Sequence, residues 1–275
     1  MSDAPTGMQT PALPGKRYSM NRRYATLRTI GALILREMST RFGRKPGGYV
    51  WALLQPLGMI LLLALAFSLL ASHPALGTSF ILFKATGLMA FNLFRVPSRM
   101  VGNALSYSRA LLSYPGVTWI DAVLARFVLN TVVMVIVTYL ILAGIIVFED
   151  LSLILNWGMI LGSVLLSAVL AFGIGVFNTF MSERFDVYDT VWNIATSPLM
   201  IVSGIIFLYD DMPTFAQEIL WYNPFIHVVG MMRAGFYSVY HPEYVSVTYV
   251  LLCAMIPMVV GLILLRRHHR ELLLR

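Results

Sequence analysis

The sequence RFGRKPGGYVWALLQPLGMI, residues 41–60, changes within a few positions from a strongly basic segment to a continuous apolar run. Arg41, Arg44 and Lys45 stand directly before a Pro-Gly-Gly sequence, and the apolar residues follow it. Proline and glycine break helices, so a helix is not expected to continue through this point. The stretch therefore predicts a basic helix that ends at a turn, followed by a new apolar helix.

The composition of the whole chain indicates a membrane protein. The sequence is 58% hydrophobic and 12% charged, whereas soluble domains carry about a quarter charged residues. A membrane-spanning helix needs about 20 apolar residues. Six runs approach or exceed that length: residues 49–71, 80–107, 120–148, 157–181, 190–208 and 245–265. The runs do not alternate between apolar and polar residues as β-barrel strands do, so we predict an all-α membrane protein with six transmembrane helices.

Two further features bear on this prediction. The first apolar run begins only near position 49, too late for a cleavable secretory signal, so it is expected to remain as a span. The second run carries charges, and the third is interrupted early by Asp121 and Arg126. The single cysteine, Cys253, lies in the last run and forms no disulfide within the chain.

The distribution of cations predicts the orientation. Of the 20 Lys and Arg residues, nine lie at or before Lys45 and four follow the last run. With six spans both termini lie on one side, and the positive-inside rule makes that side the cytoplasm. The loops expected outside are neutral or acidic. The net charge of +7 is thereby explained by membrane topology, and nucleic-acid binding is not predicted.

Four regions are expected along the chain. Residues 1–23 form a flexible basic tail, residues 24–45 an amphipathic helix at the cytosolic membrane interface, residues 46–266 the six spans, and residues 267–275 a second basic tail. The amphipathic helix is predicted from apolar residues spaced by three and four, with cations between them. These apolar positions are Leu27, Ile30, Ile34, Met38 and Phe42.

Two segments outside the spans are expected to form short helices. A cytosolic helix over 110–113 is broken by Tyr-Pro-Gly at 114–116, and it needs a partner subunit to pack against. On the outer side, Asn223-Pro224 divides an aromatic segment into helices over 213–222 and 225–237. Apolar helices of this length are typical of re-entrant or interfacial elements.

Motifs for catalysis are absent from the sequence. It contains no phosphate-binding loop, no H-E-x-x-H and no G-x-S-x-G, so no catalytic residue and no metal site is predicted. We expect His227 to hydrogen-bond within the fold rather than to ligate a metal. The acids around position 186, with Arg184, are interpreted as a solvated turn or a docking contact.

Charged residues in the second run are more informative. A cation at bilayer depth costs about 2.5–3.5 kcal/mol on insertion scales, so it usually faces protein or water. At 100° per residue, five side chains share one narrow face of this helix. They are Lys84, Phe91, Asn92, Arg95 and Arg99. This face suits an anionic, ring-bearing ligand such as an acidic sugar or a phosphate. Alternatively, Lys84 and Arg99 snorkel to the two surfaces, and Arg95 pairs with Asp121 or Glu183.

Two motifs resemble a known family. The sequence REMSTRFGRKPGGYVWALLQP, residues 36–56, is similar to the opening signature of the permease subunit of bacterial capsular-polysaccharide ABC exporters. The sequence LWYNPFIHVVGMMR, residues 220–233, resembles an element before the last span of the same family. Gln55 and Gly230-Met231 depart from the family pattern, and the second departure removes an acid that is usual on the outer side.

The resemblance implies roles for individual residues. Arg36, Glu37 and Arg41 would lie in a cytosolic gate helix, and the second spans would line the substrate path. The outer paired helices would contain Trp221, Asn223, Pro224, His227 and Arg233. Coupling to an ATPase would run through the gate helix, the 110–116 region and the 183–186 turn. The residues expected in the latter two are Leu111, Tyr114, Pro115, Glu183 and Arg184.

The resemblance also implies partners. One chain with six spans encloses no wide path, so a homodimer in the bacterial inner membrane is expected. The chain has no nucleotide site, so two copies of a cytosolic ABC ATPase would bind ATP and Mg²⁺, and this chain itself would hold no cofactor. The substrate would be a lipid-linked anionic glycan that is passed to periplasmic and outer-membrane export proteins.

Three other functions stay open at this point. An exporter of O-antigen or of a teichoic-acid-type polymer belongs to the same class, although the short outer segment and the lack of a glycan-binding domain favour capsule export. A membrane glycosyltransferase would need stronger acidic clusters at a membrane face. An anion channel would use the Arg95–Arg99 face and would work without an ATPase.

Overall fold

The computed structural model describes residues 25–42, 48–69, 73–112 and 116–273. Its regular structure over these ranges is helical. The α-helices are α1 Ala25–Phe42, α2 Gly48–Ser68, α3 Phe80–Gly102, α4 Ala104–Leu112, α5 Trp119–Phe148, α6 Trp157–Arg184, α7 Tyr188–Met200, α8 Thr214–Leu220, α9 Pro224–Phe236 and α10 Val247–Leu273. A π-helical turn, Ile201–Ile205, follows α7, and a 3₁₀ turn, Tyr209–Asp211, precedes α8. The predicted tail over 1–23 lies outside the described residues.

Within the described ranges, five helices are long and apolar enough to cross a membrane. They are Val50–Ser68, Phe80–Leu112, Trp119–Phe148, Trp157–Arg184 and Val247–His268. Five of the six runs predicted from the sequence therefore correspond to such helices. The last of them extends further than predicted, because α10 continues to Leu273 through most of the expected basic tail over 267–275.

The remaining predicted span, residues 190–208, does not form one continuous helix. Helix α7 ends at Met200, and the π-helical turn that follows contains Gly204 with φ of +76°. Pro198 in the last turn of α7 has no backbone N–H to donate, and Gly204 adopts a left-handed conformation that glycine tolerates. A hydropathy profile does not detect the missing proline N–H or the left-handed glycine. The apolar run therefore predicted an uninterrupted span.

The second predicted span, residues 80–107, is divided at Asn103. Helix α3 ends at Gly102 and α4 begins at Ala104, so the short cytosolic helix expected over 110–113 starts earlier. The Asn103 side-chain amide donates to the Arg99 carbonyl at 3.1 Å, and Ser106 Oγ donates to the Asn103 carbonyl at 3.2 Å. These bonds satisfy backbone groups at the break.

Helix α3 lies at the centre of the bundle. It packs against α5, α6, α9 and α2, and most of its side chains are buried. The core around it includes Leu88, Met89 and Phe91 of α3 with Leu170 of α6. Helix α1 packs on α5, and its predicted apolar residues Leu27 and Met38 stay exposed. The two short helices predicted on either side of Asn223-Pro224 are present as α8 and α9, and their place on the outer side stays a prediction.

Helices α6 and α10 approach closely at glycines. A Cβ atom added at Gly173 would overlap the backbone carbonyl oxygen of Ala254, and one at Gly261 would lie 2.7 Å from the backbone nitrogen of Phe177. Small residues allow such close backbone contact between membrane helices.

We expect Gly173→Val to destabilise the protein by about 1–3 kcal/mol or more, because the added atoms would force α6 and α10 apart. The matched control is Gly144→Val in α5, where an added Cβ meets nothing within 4 Å. The measurement is the yield and thermal stability of detergent-purified protein. Equal behaviour of the two variants would contradict the close contact.

Candidate coupling junction and substrate path

A buried ion pair joins α1 to α5. The Arg126 Nε–H donates to a carboxylate oxygen of Glu37 at 3.2 Å. Both residues are almost inaccessible, with exposed fractions of 5% for Arg126 and 4% for Glu37. Removing either partner of a buried pair leaves the other charge uncompensated. The pair therefore fixes the position of α1 against the bundle.

Arg126 also holds the break between α3 and α4. Its Nη1 donates to the carbonyl oxygens of Met100 at 3.1 Å and Asn103 at 2.9 Å. The ring of Tyr107 in α4 lies 4.1 Å from the guanidinium carbon, which is a cation–π contact. The Tyr107 hydroxyl lies 2.8 Å from Thr40 Oγ1 in α1. One guanidinium thus connects α1, α5 and the α3–α4 break.

A second ion pair ties α4 to α6. Arg109 Nη2 lies 2.6 Å from Glu183 Oε2. The Arg109 side chain is 45% exposed and the Glu183 side chain 7% exposed, so solvent screens this pair more than the Glu37–Arg126 pair. Helix α4 is therefore held on one side by Arg126 and on the other by Glu183. We call the set Glu37, Tyr107, Arg109, Arg126 and Glu183 the coupling junction.

The structure brings together two of the residues predicted for coupling, Glu37 and Glu183, within this one junction. Arg36 is exposed on α1, Arg41 lies in the last turn of that helix, and Leu111 is half-buried near the end of α4. Arg184 ends α6 with its guanidinium 5.9 Å from the Phe185 ring. Tyr114 and Pro115 lie outside the described residues.

Sequence reasoning missed Arg126 as a central residue of this junction. The available signal was the charge that interrupts the third apolar run, because a charge within a membrane-spanning helix is costly at bilayer depth unless it finds a partner. The partner could not be deduced, because Glu37 belongs to a different helix far away in the sequence. Arg109 and Tyr107 gave no comparable signal.

The five residues predicted on one open face of α3 fall into two groups. Phe91 is buried, and its ring packs edge-on against Phe225 of α9 at 5.3 Å. Lys84 is buried, and its Nζ donates to the Ile206 carbonyl at 2.6 Å. Asn92 is half-buried, whereas Arg95 and Arg99 are exposed. Helix α9 and the segment after α7 cover the part of this face that holds Lys84 and Phe91, and the assignment of all five residues to the substrate path stays a prediction.

Arg95 and Arg99 remain exposed on the C-terminal part of the same face, which we call the lower part. Neither forms an ion pair with any residue that the structure describes. The alternative pairing of Arg95 with Asp121 or Glu183 is not observed: Asp121 accepts from Thr118 at the start of α5, and Glu183 binds Arg109. These guanidinium groups are thus available to an anion.

Two buried cations support the broken chain after α7. Arg233 Nη1 donates to the Phe207 carbonyl at 3.1 Å and Nη2 to the Ile205 carbonyl at 3.3 Å, while Lys84 binds the carbonyl between them. The Phe83 ring stacks on the Arg233 guanidinium at 3.9 Å. Free carbonyl groups at a helix end need donors, and these side chains supply them. Lys84 and Arg233 therefore act in the fold.

The predicted outer element is organised by Asn223 and His227. Asn223 caps α9 through its side-chain oxygen, which accepts from the Phe225 N–H at 3.0 Å, and Pro224 occupies the first turn. His227 is fully buried; its Nε2 donates to the Trp221 carbonyl at 2.9 Å, and its Nδ1 accepts from the Ser246 N–H at 3.3 Å. This arrangement fits a neutral imidazole. No group of three or more metal-ligating side chains occurs among the described residues.

A pH effect follows from His227. Burial lowers the pKa of its imidazole below the ordinary value of 6.5. The unfolded chain then binds a proton more readily than the folded one, so stability should fall as the pH drops below 6.5. We expect the melting temperature to fall less in His227→Gln than in the wild type between about pH 7.5 and about pH 5.5. Parallel pH profiles would contradict a role for His227 in this dependence.

The chain is similar to proteins of one known transporter family. The family model of the ABC-2 type transporter matches residues 28–237, which include the coupling junction and helices α8 and α9. This chain belongs to the ABC-2 type transporter family. Among its relatives is the polysialic acid transport protein KpsM of Escherichia coli, 31% identical over 254 residues, covering 89% of this chain and 95% of that protein.

Other relatives of this ABC-2 protein carry related names. The capsule polysaccharide export inner-membrane protein CtrC of Neisseria meningitidis serogroup A is 26% identical over 240 residues, covering 87% of this chain and 91% of CtrC. BexB of Haemophilus influenzae, with the same descriptive name, is 25% identical over 239 residues, covering 87% of this chain and 90% of BexB. The resemblance predicted from the two motifs is confirmed.

Proposed function

We propose that this ABC-2 protein is the transmembrane subunit of an ATP-driven exporter that moves a lipid-linked capsular polysaccharide from the cytoplasm to the periplasm. The observation that carries the proposal is the similarity to a polysialic acid transport protein over 89% of the chain and to capsule polysaccharide export inner-membrane proteins over 86–87% of it. The family match over residues 28–237 spans the coupling junction, the exposed arginines of α3 and helices α8 and α9, so it is not confined to one motif.

The proposed assembly is a homodimer in the bacterial inner membrane with both termini in the cytoplasm. Five membrane-spanning helices would place the two termini on opposite sides of the membrane. Termini on the same side require an even number of crossings, and therefore a sixth. The segment from Tyr188 to Ile205 contains α7 and the π-helical turn, and its 18 residues have a length of about 27 Å when helical. This is close to the hydrocarbon thickness of about 30 Å, so we assign the sixth crossing to it.

Energy would come from two cytosolic ABC ATPase subunits that bind ATP and Mg²⁺. Helices α1 and α4 offer the docking elements, and the coupling junction would carry a movement of α4 to the lower end of α3. Arg126 suits this role because it binds the carbonyl of Asn103 at the α3–α4 break and the carboxylate of Glu37 together. Arg95 and Arg99 lie one to two turns above that break and would guide the anionic glycan.

The direct experiment is complementation. The chain and its cognate ATPase are expressed in a capsulated bacterium that lacks its own permease and ATPase, and surface capsule is measured by antibody or lectin. Restored surface capsule is the expected result. Glycan that accumulates inside cells containing a correctly inserted, ATPase-bound permease would argue against capsule export and would favour a different lipid-linked polymer, such as O-antigen.

A further inference from the structure

Two cavities meet on the side of the bundle formed by α5, α6 and the segment after α9. The larger has a volume of about 560 Å³ and lies where α6 begins, beside residues 238–245. The smaller, about 170 Å³, is a groove between α5 and α6 whose floor includes Met232 and Phe236 of α9. Leu155 and Trp157 line both cavities, so the two are adjacent.

The dimensions of the groove match one leaflet of a membrane. It extends along α5 from Ile146, near the end of the helix, to Val135. Eleven helical steps of about 1.5 Å correspond to about 16 Å, and half of a hydrocarbon core of about 30 Å is about 15 Å. Its lining is apolar apart from the Thr138 and Tyr139 hydroxyls and the Trp157 indole. A single acyl chain is the ligand that fits such a groove.

The larger cavity has a polar rim beside the first turn of α6, one of the five candidate membrane spans. Asn156, Ser238, His241 and Glu243 line it together with Trp157. The Asn156 side-chain oxygen already caps α6 by accepting from the Met159 N–H, so the hydrogens of its amide are the part available to a ligand. Amide, hydroxyl and imidazole groups donate to a phosphate, while the Glu243 carboxylate accepts from a cation.

From this juxtaposition we propose that the two cavities form a binding site for a phospholipid with a zwitterionic, primary-amine headgroup. The acyl chain lies in the α5–α6 groove, the phosphate contacts Asn156 and Ser238, and the ammonium contacts Glu243. A primary ammonium offers three N–H donors to a carboxylate, whereas a trimethylammonium offers none. The site rests on the membrane embedding of the chain and is independent of which polymer the protein exports.

The occupant is a bulk phospholipid rather than the lipid anchor of the exported glycan. The rim contains a carboxylate, and the nearby connection between α5 and α6 begins with Glu149 and Asp150. Negative charge at this place disfavours a polyanionic polymer. The exposed cations of α3 that we assign to the glycan belong to a different helix, which does not line either cavity.

The test is lipid binding to the full-length chain, purified in detergent and titrated with phosphatidylethanolamine, phosphatidylcholine or phosphatidylglycerol of identical acyl chains. Native mass spectrometry measures the bound lipid. We expect phosphatidylethanolamine to bind best, and Glu243→Gln to reduce its preference over phosphatidylcholine by about threefold, the scale of an exposed ion pair. Binding of phosphatidylglycerol equal to or tighter than that of phosphatidylethanolamine would overturn the headgroup assignment.

The groove is tested by filling it. Ala143 lines the groove, whereas its neighbour Gly144 has open space around it. Ala143→Trp is expected to weaken phosphatidylethanolamine binding at least about tenfold, the effect of losing roughly two buried methylene groups. Gly144→Trp, the matched control, should bind as the wild type does. If Ala143→Trp does not fold, Ala143→Leu replaces it with a smaller expected loss.

Equal binding by the groove variant and its control would overturn the site. A last measurement uses protein purified from cells that make the lipid-linked glycan, and identifies the lipids that co-purify with it. If the glycan lipid co-purifies with the wild type but not with the groove variant, the choice of occupant is overturned. Complementation of capsule export is scored separately, so failure of the exporter proposal does not affect these readings.

Discussion

Replacing both Arg95 and Arg99 with alanine should reduce surface capsule at least about tenfold in the complementation assay. Hydrogen bonds to charged groups contribute about 1.5–3 kcal/mol each, and about 1.4 kcal/mol corresponds to a tenfold change. The single variant Arg95→Ala should also impair export. Both side chains are exposed on α3 and form no ion pair with the described residues, so their removal should leave membrane insertion and ATPase association intact.

The controls for this prediction separate charge from structure. Arg95→Lys combined with Arg99→Lys keeps both charges and should retain most of the export. Lys84→Met provides the opposite comparison, because Lys84 is buried and donates to the Ile206 carbonyl. It should lower the amount of folded protein instead. Normal export by the double alanine variant would refute the assignment of the lower α3 face to the substrate path.

The second large effect is expected at the buried ion pair. Glu37→Gln should destabilise the protein by about 3–5 kcal/mol, because Arg126 would remain buried without a compensating charge. Export should fall together with stability, since α1 would lose its ionic contact with α5 and the α3–α4 break. The measurements are the thermal unfolding of purified protein, the retention of the ATPase during co-purification and the surface capsule of complemented cells.

Glu183→Gln is the matched control, since it makes the same change in the other ion pair of the junction and leaves behind Arg109, whose side chain is 45% exposed. Its stability loss should be about 0–1 kcal/mol. If the two variants lose the same stability, burial is not what distinguishes the pairs. If Glu37→Gln lowers stability while export per folded molecule stays at the wild-type level, the junction holds the fold together and does not transmit the action of the ATPase.

Much of the architecture could be predicted from local sequence. The apolar runs identified five long helices, and Asn223-Pro224 separated α8 from α9 because asparagine caps helices and proline begins them. The family was also recognisable from the two motifs. The interrupted segment after α7 was not predictable in the same way, because its hydropathy is that of a span and its shape depends on Pro198 and Gly204.

The candidate site, like the fold, was only partly predictable from the sequence. The helical period predicts that Lys84, Phe91, Arg95 and Arg99 lie near one face of α3, but it carries no information about which neighbouring helices cover each part of that face. Only the tertiary structure decided that α9 and the chain after α7 bury Lys84 and Phe91 and leave the two arginines exposed. The pairing of Arg126 with Glu37 was decided in the same way.

The sequence by itself determined the membrane environment, the family and most helices of this ABC-2 protein. The reason is that a bilayer requires each spanning segment, taken separately, to be long and apolar. Tertiary structure alone decided which charges are buried and paired and which are exposed. The physical reason is that desolvation and ion pairing depend on the distances between side chains on different helices, and the periodicity of one helix does not contain those distances.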